Sequence, residues 1–367
     1  MNSKKFRFPY SIQECKGIIR HVDQYCYVVQ VNEDEYDAYD VRTHQLFGGE
    51  LTGKNFHFTF HYNNCFYFTH KENGIKQCFK YSYQDCSLES LTLPSFIASR
   101  VGIRNEIAFF RSHEGIHSVP TKNFDSFEKL PLFDGVKSWC KPALGKDALV
   151  FFYEYQKLGG FSLEGEQLWT KSLEDFDVYP KPDFWSSTPQ FGRFVKEWKN
   201  YAIFEVKPFQ AICIDMTTGE QRWVVEHCVD FQYCVADGVL YGIANGIFTS
   251  VDIETGEVIL SVPIEQDWIQ RGVNESRPIT AVKATRTHLW TGFAQGQGVV
   301  AINRETGQID HQEFVGRSVN LYPEIRGNQI YISLATGGMG LNTQSGGNYV
   351  LIGEGGFIED EDKEIFY

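Results

Sequence analysis

This chain is built on a repeat of about forty residues. It is best preserved over 201–223, YAIFEVKPFQAICIDMTTGEQRW. Tyr201, Ile203 and Glu205 alternate with Ala202, Phe204 and Val206, mostly residue types that favour extended backbone, and Pro208 ends the run. Ala211 to Asp215 form a second apolar run. It stops at Asp215-Met216-Thr217-Thr218-Gly219-Glu220, where Asp and Thr side chains can bond nearby amides and Gly219 can take a positive φ. Arg222 to Val225 resume the extended pattern, with Trp223 large enough to fill a gap between packed sheets.

Weaker copies run through the whole chain. The first strand recurs from Cys26, Cys65, Glu106, Ala148, Tyr201, Val239, His288 and Gln329, eight copies in all. The second recurs from Asp37, Gln77, Gly115, Gly160, Ala211, Phe248, Val299 and Tyr349. The tight turn is clearest at Glu164-Gly165-Glu166, Thr218-Gly219-Glu220, Thr255-Gly256-Glu257 and Thr306-Gly307-Gln308, and degenerate at Thr43-His44-Gln45. An extended segment precedes each copy, as at 55–60 and 278–282, and a fourth strand follows seven of the eight. Four short strands per repeat without helical periodicity predict an all-β chain, a single β-propeller of four-stranded antiparallel blades. We expect one domain over 1–367 with an acidic tail from about 358, and eight blades, seven being the alternative. The segment 6–12 belongs to no repeat and is expected to supply the missing outer strand, closing the ring; the rival closure uses 364–367.

Asp215, Thr218, Gly219 and Trp223 together resemble the PQQ-like (quinoprotein-like) β-propeller repeat, in which Thr-Gly follows an Asp and a Trp follows the Gly. Asp252, Thr255 and Gly256 fit with Leu260 at the Trp position; Asn303, Thr306 and Gly307 fit with His311 there. Residues 161–169 fit with a shortened turn, so the likeness covers about 148–310. The resemblance implies a propeller fold in which these residues build each blade and lock it to its neighbour. It does not extend to the cofactor: quinoprotein dehydrogenases are longer, exported and usually carry adjacent cysteines. This chain has no Cys-Cys pair, so no cofactor is expected.

Charge narrows the function classes. The formal net charge is −13, from 34 Lys and Arg against 47 Asp and Glu. That field disfavours nucleic acid and anionic membrane and favours a basic protein partner. Basic residues at the N-terminus lead into no apolar run, and no stretch of about 18 apolar residues occurs, so a cytoplasmic address is expected. The nine cysteines contain no CxxC pair, which points to reduced thiols in a core and to no metal.

Motifs that spell chemistry have blander readings. His113-Glu114-Gly115-Ile116-His117 spells HExxH, but it lies between two strands with Gly115 at its centre and reads as a hairpin turn. Residues 48–55 spell GxxxxGK, yet Asn55 stands where a magnesium-binding Ser or Thr belongs and no helix follows. His57 and His61 share one strand face without a third ligand, and the glycines at 337–340 and 346–347 bracket a flexible connection. No nucleophile–base set is assigned, since such partners meet only in space.

The uniform Thr-Gly turns fall on one rim of such a fold, and nearly every irregular insertion falls on the other. The second rim carries Glu33, Asp34, Glu35 and Asp37, then Asp175, Asp177, Phe184 and Trp185, then Glu265, Asp267, Trp268 and Arg271. Aromatics among charges on loops are the composition of a binding surface. The expected function is non-catalytic protein binding through this acidic, aromatic rim, in its sharpest form as an inhibitor or immunity protein against a basic toxin. The alternatives are a lyase or hydrolase acting on carbohydrate in the central channel, and a structural subunit of a larger complex.

Overall fold

The computed structural model describes residues 11–15, 18–22, 26–30, 36–40, 45–46, 58–63, 65–72, 75–82, 84–85, 87–91, 97–112, 115–123, 130–134, 141–154, 156–179, 189–226, 228–229, 232–244, 247–263, 283–284, 287–293, 298–314, 324–326, 329–336 and 344–352. Among the described residues there is no α-helix, only two 3-10 turns, Thr121–Asn123 and Leu173–Asp175. Everything else regular is antiparallel sheet. The Thr-, Val-, Phe- and Tyr-rich runs pair with their chain neighbours because short turns leave each strand no other partner within reach.

Contacts along the backbone divide the chain into two compact units. One gathers 54–226 with Ile253–Gly256 and 362–367. It holds four meanders of four strands. The first is Phe58–Tyr62, Cys65–Glu72, Ile75–Ser82 and Ser87–Leu91, and the second Ile97–Arg104, Ile107–Ser112, Gly115–Pro120 and Leu130–Asp134. The third is Ala143–Leu144, Ala148–Glu154, Lys157–Ser162 and Gln167–Ser172, and the fourth Gln190–Trp198, Tyr201–Lys207, Gln210–Asp215 and Gln221–Glu226. The core lies between consecutive sheets. Val101, Phe109 and Ile116 pack on Leu149, Phe151 and Phe161, and Ala148, Val150 and Phe152 pack on Phe204, Ile212 and Ile214.

The other unit gathers 1–53, 227–252 and 257–361. Two of its sheets are complete meanders, Gln232–Ala236 through Val258–Pro263 and Lys283–Ala284 through Ile309–Phe314. Ile18–Val22, Cys26–Gln30 and Tyr36–Asp40 form a three-stranded sheet, with a single bridge from Tyr39 to Leu46 where an outer strand would begin. Its degenerate turn closes through Asp40 N–H on the Gln45 carbonyl (2.9 Å), the bond that Asp215 makes to Glu220 and Asp252 to Glu257. The last sheet consists of Glu324–Arg326, Gln329–Thr336 and Gln344–Ile352, with Ser11–Cys15 antiparallel on its open side, Ser11 opposite Ile352 and Cys15 opposite Asn348. The described pairing strand is Ser11–Cys15; residues 6–10 of the expected 6–12, and the rival 364–367, lie outside the described residues.

Two other expectations are corrected in detail. Gly346 and Gly347 are not a loose connection but part of the strand Gln344–Ile352, with Gly347 opposite Leu334. Glycine weakens a strand but keeps both backbone groups for the ladder. The inner strand before His288 is Lys283–Ala284, past the apolar run at 278–282 that suggested it, and that run lies outside the described residues.

The repeat turn is built as a hydrogen-bonded unit. Asp215 Oδ1 accepts from the amides of Thr217 (2.8 Å) and Thr218 (3.0 Å), Thr218 Oγ1 from Glu220, and Gly219 donates to the Asp215 carbonyl at φ +71°. Asn303 and Thr306 repeat the arrangement around Gly307. Within the unit of 54–226 and Ile253–Gly256, tryptophans then pack on such turns. Trp169 Nε1 donates to the Met216 carbonyl (2.9 Å) with its ring against Gly219, and Trp223 Nε1 donates to the Ile253 carbonyl (2.6 Å) with its ring against Gly256. Val262 and Leu260 take that place against Gly307, without a donor. Ion pairs join the same edges with alternating sign, Lys199 with Glu254 in one unit and Arg304 with Asp237 (2.9 Å) in the other, where Arg304 also stacks on Tyr241.

Candidate partner-binding site

Of the twelve expected rim residues, the structure describes Asp37, Asp175 and Asp177. Glu33, Asp34, Glu35, Phe184, Trp185, Glu265, Asp267, Trp268 and Arg271 lie outside the described residues. Asp37 is not in a loop. It sits half-buried in Tyr36–Asp40, opposite Val29, and its Oδ2 accepts from the Tyr39 hydroxyl (3.4 Å). Asp175 and Asp177 belong to one short segment, 173–179, which leaves the outer strand Gln167–Ser172 and crosses to the next sheet.

Local and distant hydrogen bonds hold this segment. Asp175 closes the 3-10 turn as a capping box. Its Oδ2 accepts from the Ser172 amide (2.7 Å) and hydroxyl (3.0 Å), and these bonds, amide first, hold its carboxyl below the ordinary 3.8. From there the chain is extended and alternates. Phe176 is buried, 6% exposed, edge-on to Phe191 at 5.9 Å, and Val178 is half-buried against the same core; Asp175, Asp177 and Tyr179 face solvent, Tyr179 at 42%. Lys171 covers the Phe176 ring, 5.5 Å from its centroid.

Two glutamines of the 190–226 sheet hold the backbone. The Asp177 amide donates to Gln221 Oε1 (2.8 Å), and Gln221 Nε2 donates back to the Asp177 carbonyl (2.9 Å). Tyr179 and the buried Gln210 repeat the exchange at 3.0 and 3.1 Å. Beyond the stretch 180–188, a third glutamine does the same. The Phe191 amide donates to Gln156 Oε1 (2.6 Å), and Gln156 Nε2 donates to the Phe191 carbonyl (3.5 Å). A primary amide presents one acceptor and donors side by side, so it fits the N–H and C=O of one extended residue as a strand would. None of these glutamines was singled out in the sequence. No spacing rule joins Gln156 to Phe191 or Gln210 to Tyr179.

The chemistry-like motifs resolve into structure. His117 is buried in Gly115–Pro120, opposite Phe110 in the ladder, while His113 and Glu114 lie outside the described residues. The stretches 48–55 and 337–340, and His57, also lie outside them; His61 stands in Phe58–Tyr62, opposite Phe66. His288 Nε2 lies 3.0 Å from Asp310 Oδ2 and its Nδ1 2.7 Å from Thr287 Oγ1. A carboxylate only accepts, so Nε2 carries a proton. Asn303 Nδ2 donates to the same Asp310 oxygen, and the Arg304 amide to the Thr287 carbonyl, so the set ties two turns to an outer strand. Burial pushes the Cys78 and Cys213 thiols up to about 12, which leaves them protonated and inert as nucleophiles. Among the described residues no group of three or more His, Cys, Asp or Glu could hold a metal ion, and no helix is long and apolar enough to cross a membrane.

No protein-family model matches the sequence, and no curated protein matches it. Solved structures do. BamB from Moraxella catarrhalis is 13% identical with a TM-score of 0.56, covering 93% of this chain and 100% of its own. The computationally designed Ika8 protein is 14% identical with a TM-score of 0.60, covering 93% and 98%. Sqt1 from Saccharomyces cerevisiae is 9% identical with a TM-score of 0.57, covering 94% and 98%. At such identities the likeness is one of fold, and it is to propeller repeat proteins.

Proposed function

We propose that this chain is a non-catalytic, cytoplasmic β-propeller that binds a basic protein partner through an acidic, aromatic rim. Its sharpest role is that of an inhibitor or immunity protein neutralising a basic toxin such as a nuclease. The proposal includes eight blades in one domain, the last completed by Ser11–Cys15, and a rim formed by Glu33, Asp34, Glu35, Asp37, Asp175, Asp177, Phe184, Trp185, Glu265, Asp267, Trp268 and Arg271.

The observation that carries the reading is the segment 173–179, where two carboxylates and a tyrosine are held outward on a backbone fixed by side-chain amides. Binding then costs little ordering entropy there, and the −13 charge steers a basic partner toward it. The Ser11–Cys15 pairing in continuous register supports the closure. The test is capture from extracts of the source cell at about 50 mM and about 500 mM salt, where the screening length drops several-fold. We expect a basic partner released at high salt, and held about ten-fold less tightly after Asp175→Asn with Asp177→Asn, roughly 1.4 kcal/mol. No partner, or one indifferent to both salt and substitution, overturns the reading.

A further inference from the structure

The glutamine brackets leave a consequence at Val178. In extended backbone, the N–H and C=O groups of residues i and i+2 point to one side and those of i+1 to the other. Asp177 and Tyr179 turn theirs toward Gln221 and Gln210. The amide and carbonyl of Val178 therefore face away from the glutamines, and among the described residues no strand pairs with 173–179. The side chains of Phe176 and Val178 point down into the core, and those of Asp175, Asp177 and Tyr179 point up. Among the described residues, this extended segment thus has one side satisfied by side-chain amides and no backbone partner on the other.

We propose that this open edge is a β-augmentation site for an extended, basic segment of a partner protein, the incoming strand pairing its backbone with Val178. Edge strands with unpaired groups are templates for a further strand, and main-chain hydrogen bonds give such complexes their affinity. The occupant's chemistry follows from the charges beside the edge. Glu174, Asp175 and Asp177 are exposed on the segment itself. Two neighbouring cations are engaged on rings, Lys171 over Phe176 and Arg222 over Tyr201. Lys or Arg on the upward face of the incoming strand meets these carboxylates, and Tyr179 offers a ring for a cation–π contact. The inference rests on the partner-binding reading above and gives it a site and a mode.

The test uses the full chain and an eight-residue peptide of alternating Lys and Val, with blocked termini, at low salt. A second peptide carries N-methyl groups on alternate backbone amides, which keeps its charge and removes its donors on one edge. We expect the first peptide to bind and to slow hydrogen exchange at the Val178 amide about ten-fold or more, and the methylated peptide to bind at least about ten-fold more weakly. Val178→Pro removes the outward amide and should abolish binding, while Val178→Ala, which trims the side chain but keeps the amide, should bind within about three-fold of wild type. Equal binding of both peptides overturns strand pairing and leaves the electrostatic rim standing. Binding of neither, with a basic partner still captured from extracts, also overturns it and moves the contact elsewhere on the rim.

Discussion

Gly219 combines two constraints that are usually found apart. Its φ is +71°, and a Cβ built on it would lie 2.6 Å from Trp169 Cδ2. If the left-handed backbone alone mattered, Asn would be tolerated, since it enters that region readily. The ring contact says otherwise. Gly219→Asn should destabilise because any Cβ displaces Trp169 from the Met216 carbonyl, and Gly219→Val should cost about 1–3 kcal/mol more through backbone strain. In Trp169→Leu the Asn substitution should become nearly neutral, a coupling that a double-mutant cycle in denaturant resolves. Wild-type stability for Gly219→Asn alone would refute the contact. Positive φ at this glycine was legible from Thr-Gly in a tight turn; the tryptophan under it was not, because it comes from the preceding sheet.

At the scale of the element, 173–179 is held by local and distant bonds that respond to different perturbations. Asp175 acts locally and titrates. Its folded carboxyl lies below the ordinary 3.8, so its contribution is fully present above that value and is lost as pH falls through the lower folded one. Gln210 and Gln221 do not titrate. Amide exchange along 173–179, corrected for its intrinsic pH dependence, should therefore be flat through neutral pH and rise only in acid. Asp175→Asn should remove that acid limb without accelerating Tyr179. Gln210→Leu should speed exchange at Tyr179 about ten-fold or more at every pH, as expected when a buried bidentate bond worth about 1–3 kcal/mol is removed. Unchanged exchange in Gln210→Leu would mean that the bracket does not hold the segment. The sequence made this segment visible only as an insertion rich in Asp and Phe. Its rigidity comes from amides on strands 31 and 44 residues away, which no local pattern announces.

For the molecule as a whole, the repeat was the legible part, because period-two apolar runs and Asp-Thr-Gly turns are local signals that recur. Short inner strands such as Ala143–Leu144 and Lys283–Ala284 were not legible, since two residues carry no periodicity and are placed by their partners. The first and last sheets are where sequence distance misleads most. Ser11–Cys15 pairs with Asn348–Ile352, and its chain then continues into Ile18–Val22, the first strand of a different sheet. Strands that distant in sequence pair late and at the highest loop-closure cost. Deleting residues 1–15 should leave Gln344–Ile352, with Gly346 and Gly347 inside it, as a bare edge. We expect the truncated chain to lose more than about 2 kcal/mol, with faster exchange at Tyr349 and Val350 and concentration-dependent association through the exposed strand. The sheet that contains Gln210–Asp215, which shares no strand with it, should keep its protection at low denaturant. If the deletion melts like the full chain and exchange at Tyr349 is unchanged, the N-terminal strand is an ornament of that sheet, and the proposed closure falls with it.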